Sequence, residues 1–187
     1  MSDAGPFLAA ADAPVTAATA AADPALAQRP EGFQRVARVL AERGHPHAPL
    51  WLDVSARTCA EAAEALGVQV GQIAKSVVFR READGRAVLV VASGDKRVDA
   101  AKVAAAVGAI GRADAAFVKA STGFSIGGVS PVGHAQPPVV LVDRELFRFD
   151  AVWAAAGHPN GVFRARPADL VALTGAPAAD IAEAGPA

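Results

Sequence analysis

The sequence has few of the residues that would place it in a specialised class of proteins. Its 187 residues include one cysteine, one methionine, two tryptophans and no tyrosine, and the formal net charge is −1. A single cysteine, Cys59, excludes an intramolecular disulfide and a cysteine metal cluster, and it suits a reducing cytoplasm. A balanced charge gives no overall field to attract nucleic acid, so any RNA contact must come from a local basic patch. We therefore expect a cytoplasmic protein that binds no DNA.

The chain also lacks long apolar runs and the common catalytic motifs. No apolar run approaches the length of a membrane span, so no membrane contact is expected. The P-loop, the dinucleotide fingerprint, the zinc-protease motif and the serine-hydrolase elbow are all absent. His45 and His47 flank a proline without further ligand spacing, which favours a loop over a metal site. We predict neither a metal nor a cofactor.

The composition of the chain and the distribution of its apolar residues indicate one folded domain preceded by an extension. Apolar residues make up 52% of the chain, which is ample for a core. Residues 1–30 are rich in alanine and proline and contain few large apolar residues. We expect a flexible or partly helical extension there, followed by a folded domain over residues 31–187.

The first part of this domain alternates helix and strand patterns. Apolar residues recur at helical spacing over residues 31–43, and residues 50–54 are typical of a short strand. Thr58 and Glu61 form a capping-box pattern that predicts a second helix. Cys59 would lie in the first turn of that helix, where the helix terminus lowers a thiol pKa. Without a histidine or aspartate partner in the sequence, packing is a better interpretation of Cys59 than nucleophilic attack.

The middle of the chain predicts a hairpin. Residues 72–79 and 87–92 are typical of strands, and Asp84-Gly85 between them suits a two-residue turn. The second strand is apolar on both faces, so it should lie at the centre of the sheet. Asp99 should then N-cap another helix.

The last part of the chain adds further strands and a terminal helix. Strands are expected at residues 139–143, 151–156 and 162–165, a helix should begin at Pro167, and a helical tail should cover residues 178–183. The sum is five or more strands interleaved with short helices. We therefore predict an α/β domain whose sheet is mixed and partly antiparallel, or barrel-like, and not a regular βαβ series.

One stretch, residues 121–134, is a candidate binding loop. It contains Gly123, Gly127 and Gly128, followed by Ser130-Pro131. Glycine permits positive φ or a close backbone approach, and proline stiffens the chain, so this loop should have a defined shape. Its exposed backbone groups would suit an ester carbonyl, an amine or a phosphate. A tight structural turn is the alternative.

Two charged residues at strands are further candidates. Lys75 shares one face of its predicted strand with Ile73, Val77 and Phe79. A lysine in such surroundings must extend to solvent, pair with another group or face a pocket, and a bound polar group would explain its charge. Asp143 ends an apolar strand, where open sheets tend to expose functional groups, although capping a turn is an equally simple explanation.

The order of these motifs resembles the YbaK family of aminoacyl-tRNA deacylases, which is related to the editing domain of bacterial prolyl-tRNA synthetases. The resemblance covers about residues 31–183. It rests on the following segments, in order: LGV at residues 66–68, QIAKSVVF around Lys75, SGDKRVD at residues 93–99, the loop at residues 121–134, and the strand that ends in Asp143.

The resemblance implies hydrolysis of the ester of a mischarged tRNA, often tRNA(Pro) carrying a small amino acid, without a metal. The near-invariant lysine of the family falls on Lys75, and its strand-end aspartate falls on Asp143. Its G-x-x-x-P loop falls on five consecutive residues: Gly127, Gly128, Val129, Ser130 and Pro131. The catalytic candidates are therefore Lys75, Gly127, Gly128 and Asp143, and the rest of the loop should bind substrate.

Other contacts follow from strand proximity and charge alone. The expected pocket-lining residues are Leu52, Ser55, Ser76, Val78 and Thr122. An apolar pocket would favour alanine or 2-aminobutyrate, whereas Ser76 and Thr122 could bind the hydroxyl of serine or threonine. Lys96, Arg97 and Lys119 are expected to contact the tRNA acceptor end. A synthetase is a candidate partner, and a non-catalytic module that binds tRNA ends or small ligands is the alternative function.

Overall fold

The computed structural model describes residues 24–184, so most of the extension predicted at residues 1–30 lies outside the described residues. Six helices occur within residues 24–184: α1 (Pro24–Ala27), α2 (Glu31–Glu42), α3 (Cys59–Leu66), α4 (Ala100–Val107), α5 (Ala115–Thr122) and α6 (Pro167–Thr174). Eight strands occur there as well: β1 (Leu50–Trp51), β2 (Ile73–Arg81), β3 (Ala87–Ser93), β4 (Ile110–Arg112), β5 (Val139–Asp143), β6 (Val152–Ala155), β7 (Gly161–Ala165) and β8 (Ala178–Ala179). Two 3₁₀ helices, Val70–Gln72 and Arg144–Arg148, complete the described chain.

The strands form one mixed sheet that does not close into a barrel. Its order is β1-β7-β6-β2-β3-β5-β8, and β4 pairs with the far end of β2. The hairpin pairs β2-β3 and β6-β7 are antiparallel, whereas β2-β6, β3-β5 and β5-β8 are parallel. The prediction of a mixed, partly antiparallel α/β sheet is confirmed, and its barrel-like variant is not adopted.

Helices cover both faces of this sheet. Every residue of β3 is buried, as expected of a central strand with apolar residues on both faces. The core on one face takes residues from α2, α5 and α6, and the core on the other face takes residues from α3 and α4. Side chains of β2 alternate accordingly, because Ala74 and Val78 face the first core while Ile73 and Val77 face the second.

Local capping signals locate several helix ends. The Thr58 hydroxyl accepts the Glu61 amide and the Glu61 carboxylate accepts the Thr58 amide, which confirms the capping box of α3. Asp99 accepts two amides at the start of α4, as predicted. Pro167 is at the start of α6, also as predicted.

Three predicted elements differ from the structure. The strand expected at residues 50–54 is limited to Leu50–Trp51. The turn between β2 and β3 spans residues 82–86 and is not a two-residue turn, because Gly85 donates to the Arg81 carbonyl and an Arg81–Asp84 ion pair closes the longer loop. The helical tail expected over residues 178–183 is extended, since β8 pairs with the edge of β5 and thereby allows Ile181 to become buried.

None of the helices within residues 24–184 has the length and apolar character that crossing a bilayer requires.

Candidate active site

A cavity lies where strands β2 and β6 diverge. The two strands pair only through Ile73 and Ala74 of β2, and beyond this point they enclose a space of about 280 Å³. Its walls come from the start of α3, from β2, from the loop after α5, and from the β6-β7 hairpin. Four of the predicted site residues line this cavity: Lys75, Ser76, Gly127 and Val129.

Lys75 is held in the cavity wall by backbone carbonyls. Its ammonium Nζ donates to the Lys96 carbonyl and, at 3.5 Å, to the Gly94 carbonyl. An ammonium carries three donor protons, so these two contacts leave one donor for a bound group. Lys75 therefore both pairs with backbone groups and faces a pocket, two of the arrangements that its position on an apolar strand face had suggested.

The loop that holds Lys75 is stabilised by an ionic network. Arg148 donates to both carboxylate oxygens of Asp95, at 2.7 and 3.2 Å, and to the Ser93 hydroxyl at 3.0 Å. Hydrogen bonding from Arg148 is the main reason that the pKa of Asp95 lies below its ordinary value. Nε–H of Arg148 donates to the Glu145 backbone carbonyl at 2.9 Å. The Glu145 carboxylate forms ion pairs with Arg148 Nε at 3.1 Å and with the Lys96 ammonium at 3.6 Å. Side chains of the 3₁₀ helix that follows β5 thus hold residues 93–96 in place.

Asp143 belongs to this network and does not line the cavity. It is 1% exposed, and its carboxylate accepts the Ser93 amide at 3.4 Å and the Glu145 amide at 3.1 Å. Burial is the main reason that its pKa lies above the ordinary value. Its position supports the start of the helix that carries Arg148, so its effect on Lys75 is indirect.

The glycine loop supplies the opposite wall. Gly123 and Gly127 adopt φ of +78° and +91°, which is the conformation for which glycine is suited. Gly128 packs so closely on the backbone of His158 that an added Cβ would lie 2.8 Å from the His158 Cα. The Gly128 amide donates to Ser125, whereas the amides of Gly127 and Val129 donate no hydrogen bond within residues 24–184. Together with the Ile126 amide, which likewise donates no hydrogen bond within these residues, they are candidate donors for a ligand in the cavity.

Ser130 and Pro131, the last residues of the G-x-x-x-P segment, support the cavity wall without lining it. Ser130 and Pro131 are both buried, and the Ser130 hydroxyl accepts the Val132 amide. The Ser130 carbonyl accepts Nε2–H of His134 at 2.7 Å. Neither Ser130 nor Pro131 lines the cavity. They support Val129, which does.

His134 makes the loop sensitive to acid. Burial is the main reason that the pKa of His134 lies below the ordinary value of 6.5. The unfolded chain therefore takes up a proton first as pH falls through 6.5, and the free energy of unfolding should decrease between pH 7.5 and 5.5. His45, which is buried against the Arg164 carbonyl, acts in the same direction. We expect the His134→Gln variant, which keeps a donor for Ser130, to lose less stability over this range in urea unfolding. Identical pH dependence in the two proteins would contradict this role of His134.

The other predicted pocket residues lie in different surroundings. Ser76 lines the cavity, and its Oγ atom is buried without a hydrogen-bond partner among the described residues. Such a group favours a ligand that supplies the missing partner. Leu52 and Val78 pack in the two cores, Ser55 is exposed, and the Thr122 hydroxyl donates to Val118 at 2.7 Å. These last four do not line the cavity.

Sequence reasoning did not identify several residues of this site. Arg57 and Ile126 line the cavity and also a neighbouring open groove. Trp153 forms part of the apolar wall. Arg57 could have been anticipated, since it immediately precedes the capping box. Ile126 could not, because an isolated apolar residue in a loop carries no signal of its own.

Cys59 lines the cavity, but burial raises the pKa of its thiol. Loss of hydration thus outweighs the lowering that a helix terminus was expected to produce, and also the opposing charge of Lys75. The thiol is therefore poorly suited to act as a nucleophile, in agreement with a packing role.

The predicted tRNA-contacting cations lie at two different places. Lys96 and Arg97 lie beyond β3, where Lys96 pairs with Glu145 and Arg97 is exposed. Lys119 lies on α5, donates to the Gly123 carbonyl at 3.1 Å and lines the open groove.

The sequence of this chain matches the aminoacyl-tRNA editing domain family over residues 53–173. The chain belongs to that family. All residues that line the cavity fall within the matched range.

Individual relatives agree with this membership. A solved structure of a proposed trans-editing enzyme for prolyl tRNA synthetase is 44% identical, with a TM-score of 0.78, and covers 83% of this chain and 99% of its own. The hypothetical protein APE2540 is 34% identical, with a TM-score of 0.74 over 80% of this chain and 99% of its own. The uncharacterized protein YwhH of Bacillus subtilis (strain 168) is 39% identical over 119 residues, which are 63% of this chain and 75% of YwhH.

Proposed function

We propose that this editing-domain protein is a freestanding aminoacyl-tRNA deacylase. Its substrate is a mischarged tRNA, in the first place tRNA(Pro) carrying alanine, cysteine, serine, threonine or 2-aminobutyrate. The observation that carries the proposal is that one cavity is lined by Lys75, whose ammonium retains one donor, and by Gly127 and Val129, whose amides donate no hydrogen bond within residues 24–184. Three hydrogen-bond donors around an otherwise largely apolar space suit an ester whose carbonyl oxygen gains negative charge.

Hydrolysis at this cavity proceeds by attack of water on the ester carbonyl. The bond from the water oxygen to carbon forms, and the bond from carbon to the ribose oxygen breaks. The proton released by the water passes to that ribose oxygen, assisted by the neighbouring ribose hydroxyl of the substrate. The amides of Gly127 and Val129 hold the carbonyl oxygen, and Lys75 binds either the developing oxyanion or the terminal adenosine. No histidine lines the cavity, so the residues described offer no Ser-His-Asp set for an acyl-enzyme.

The walls favour small side chains. Ile73, Val129 and Trp153 are apolar and buried, and the whole cavity must also receive part of the terminal adenosine. Ser76 adds a hydroxyl, unpartnered among the described residues, that can bind the hydroxyl of serine or threonine, or the α-amine common to all substrates. A site of this kind excludes large amino acids sterically but separates near-isosteres by only 10- to 200-fold.

A binding module without turnover is the second candidate, because the same donors could hold an aminoacyl end without hydrolysing it. A purified protein that lowers the charged fraction of mischarged tRNA at substoichiometric amounts would exclude this alternative. Stoichiometric protection of the ester would favour it.

A deacylation panel tests the proposal directly. tRNA(Pro) would be charged separately with alanine, cysteine, serine, threonine, 2-aminobutyrate and proline, and loss of the ester would be followed over time. We expect multiple turnovers on one or two of the small non-cognate species, with prolyl-tRNA spared. If no species is hydrolysed, and other tRNAs carrying the same amino acids also survive, the enzyme assignment is wrong.

A further inference from the structure

The cavity opens into a second, larger depression that the reaction itself does not use. This groove has a volume of about 620 Å³, against about 280 Å³ for the cavity. The two spaces share four wall residues: Arg57, Ile126, Gly127 and Pro159. A polymer whose end occupies the cavity can therefore continue into the groove without crossing another element.

The groove carries a net positive charge, whereas the whole protein does not. Arg35, Arg57 and Lys119 line it, and Glu31 is the one carboxylate that lines it within residues 24–184. The whole chain has a formal charge of −1, so this local excess of cations is a property of the groove. Grooves with walls of one sign concentrate the field and attract counter-ions, including phosphates.

The three cations differ in their freedom to bind a ligand. The guanidinium of Arg35 donates to the Gly133 carbonyl at 2.7 Å and pairs with Glu31 at 3.2 Å, so it acts mainly as a fixed charge. Lys119 uses one donor on the Gly123 carbonyl. The guanidinium of Arg57 donates no hydrogen bond within residues 24–184, although its charge and its backbone amide both act on the carboxylate of Glu61. Arg57 and Lys119 therefore have donors available.

An apolar side chain shares the groove wall with the cations. Ile126 is 63% exposed at the border of the cavity and the groove, although large apolar side chains are usually covered. His158, stacked on Trp51 with ring centroids 4.8 Å apart, adds a fixed ring to the wall. Cations that alternate with apolar or ring surfaces are typical of sites that bind single-stranded nucleic acid.

We propose that this groove binds the single-stranded 3′ end of the tRNA acceptor, with Arg57 and Lys119 on its phosphates and Ile126 against a base. The proposal rests on the proposed function and extends it by assigning the exit path of the substrate. Lys96 and Arg97 line neither space, and Lys96 is already paired with Glu145. The groove is therefore the principal nucleic-acid contact.

Binding of an acceptor-stem RNA hairpin that ends in CCA and carries no amino acid tests the groove without any need for catalysis. The Arg57→Gln/Lys119→Gln double variant should bind about tenfold more weakly at 50 mM salt. Its slope of log affinity against log salt should be shallower by about 1.4, because each phosphate contact on a single strand contributes about 0.7. The control is Arg112→Gln/Arg144→Gln, which removes the same charge from exposed residues outside both spaces and should change affinity less than twofold.

Equal weakening by both double variants, or by neither, would overturn the proposal. Circular dichroism would confirm folding, and the single variants would replace a double variant that failed to fold. Ile126→Glu, which adds a carboxylate to the wall that Arg57 and Lys119 line, should weaken binding at least as strongly. The hairpin carries no amino acid, so this binding test remains valid even when the deacylation panel shows no hydrolysis. If the protein hydrolyses mischarged tRNA but the double variant binds the hairpin normally, only the groove proposal is refuted.

Discussion

Lys75→Met should lower kcat/KM for the best mischarged tRNA by at least about 100-fold, in line with the loss of one donor to a developing oxyanion. Methionine has nearly the same length and fills the same space, but it cannot donate to a substrate. The carbonyls of Gly94 and Lys96 lose a donor as well, so we also expect a decrease of about 1–3 kcal/mol in the free energy of unfolding. Single-turnover kinetics and urea unfolding measure the two effects separately.

The control for this variant is Lys102→Met. Lys102 pairs with Asp180 at 2.9 Å on α4 and does not line the cavity, so its removal should cost little stability and no activity. Affinity for the uncharged RNA hairpin should also be nearly unchanged in Lys75→Met if the groove supplies most of the binding. Full deacylation by Lys75→Met would show that Lys75 is not catalytic, whatever its place in the wall.

Local chemistry made much of the fold predictable. Thr58 and Glu61 specify the start of α3 by a reciprocal pair of hydrogen bonds, and Asp99 does the same for α4 with its own carboxylate. The uninterrupted apolar run of β3 could belong only to a strand covered on both sides. Each of these signals lies within a few residues, which is why sequence alone was enough.

The errors arose where distant segments decide the outcome. The tail at residues 178–183 has a helical composition, yet the free edge of β5 offers backbone hydrogen bonds that an extended chain can satisfy. Proximity of strands wrongly suggested one common environment for Ser76 and Val78. They share a face of β2, but only Ser76 lies beside the gap left by β6. The position of a gap in a sheet depends on how neighbouring strands pair, so the sequence of one strand cannot predict it.

The two charged candidates, Lys75 and Asp143, also differ in how far their surroundings depend on distant segments. The apolar neighbours of Lys75 already indicated a special position, because a cation there needs a partner, and the structure supplies two carbonyls and a cavity. Asp143 gave an ambiguous signal, and the structure places its carboxylate on amides of the supporting network. Its connection to Lys75 runs through the Ser93 amide into the loop that the Arg148–Asp95 pair stabilises, and these residues lie too far apart in the sequence to be paired in advance.

Gly128→Ala should reduce deacylation about 100-fold, although it adds only one methyl group. The φ of Gly128 is not positive, so alanine is compatible with the backbone and the effect is purely steric. The new Cβ would lie 2.8–2.9 Å from backbone atoms of His158, which cannot rotate away as a side-chain end could. The loop must therefore move away from the β6-β7 hairpin and displace the amides of Gly127 and Val129, and a shift of about 1 Å at such donors can cost 100-fold in rate.

Gly111→Ala on β4 is the matched control, because the nearest atom to its added Cβ is 3.7 Å away and its φ is not positive. We expect it to retain the activity of the unmodified protein. Gly128→Ala should also lose about 1–3 kcal/mol of stability, which is typical of overpacking, and yet remain folded at 25 °C. The decisive comparison is between rate and affinity, because movement of the loop should lower the single-turnover rate far more than the affinity for the non-aminoacylated RNA hairpin, which loses the Ile126 contact but keeps Arg57 and Lys119. Normal deacylation by a folded Gly128→Ala protein would mean that the loop amides do not act on the ester.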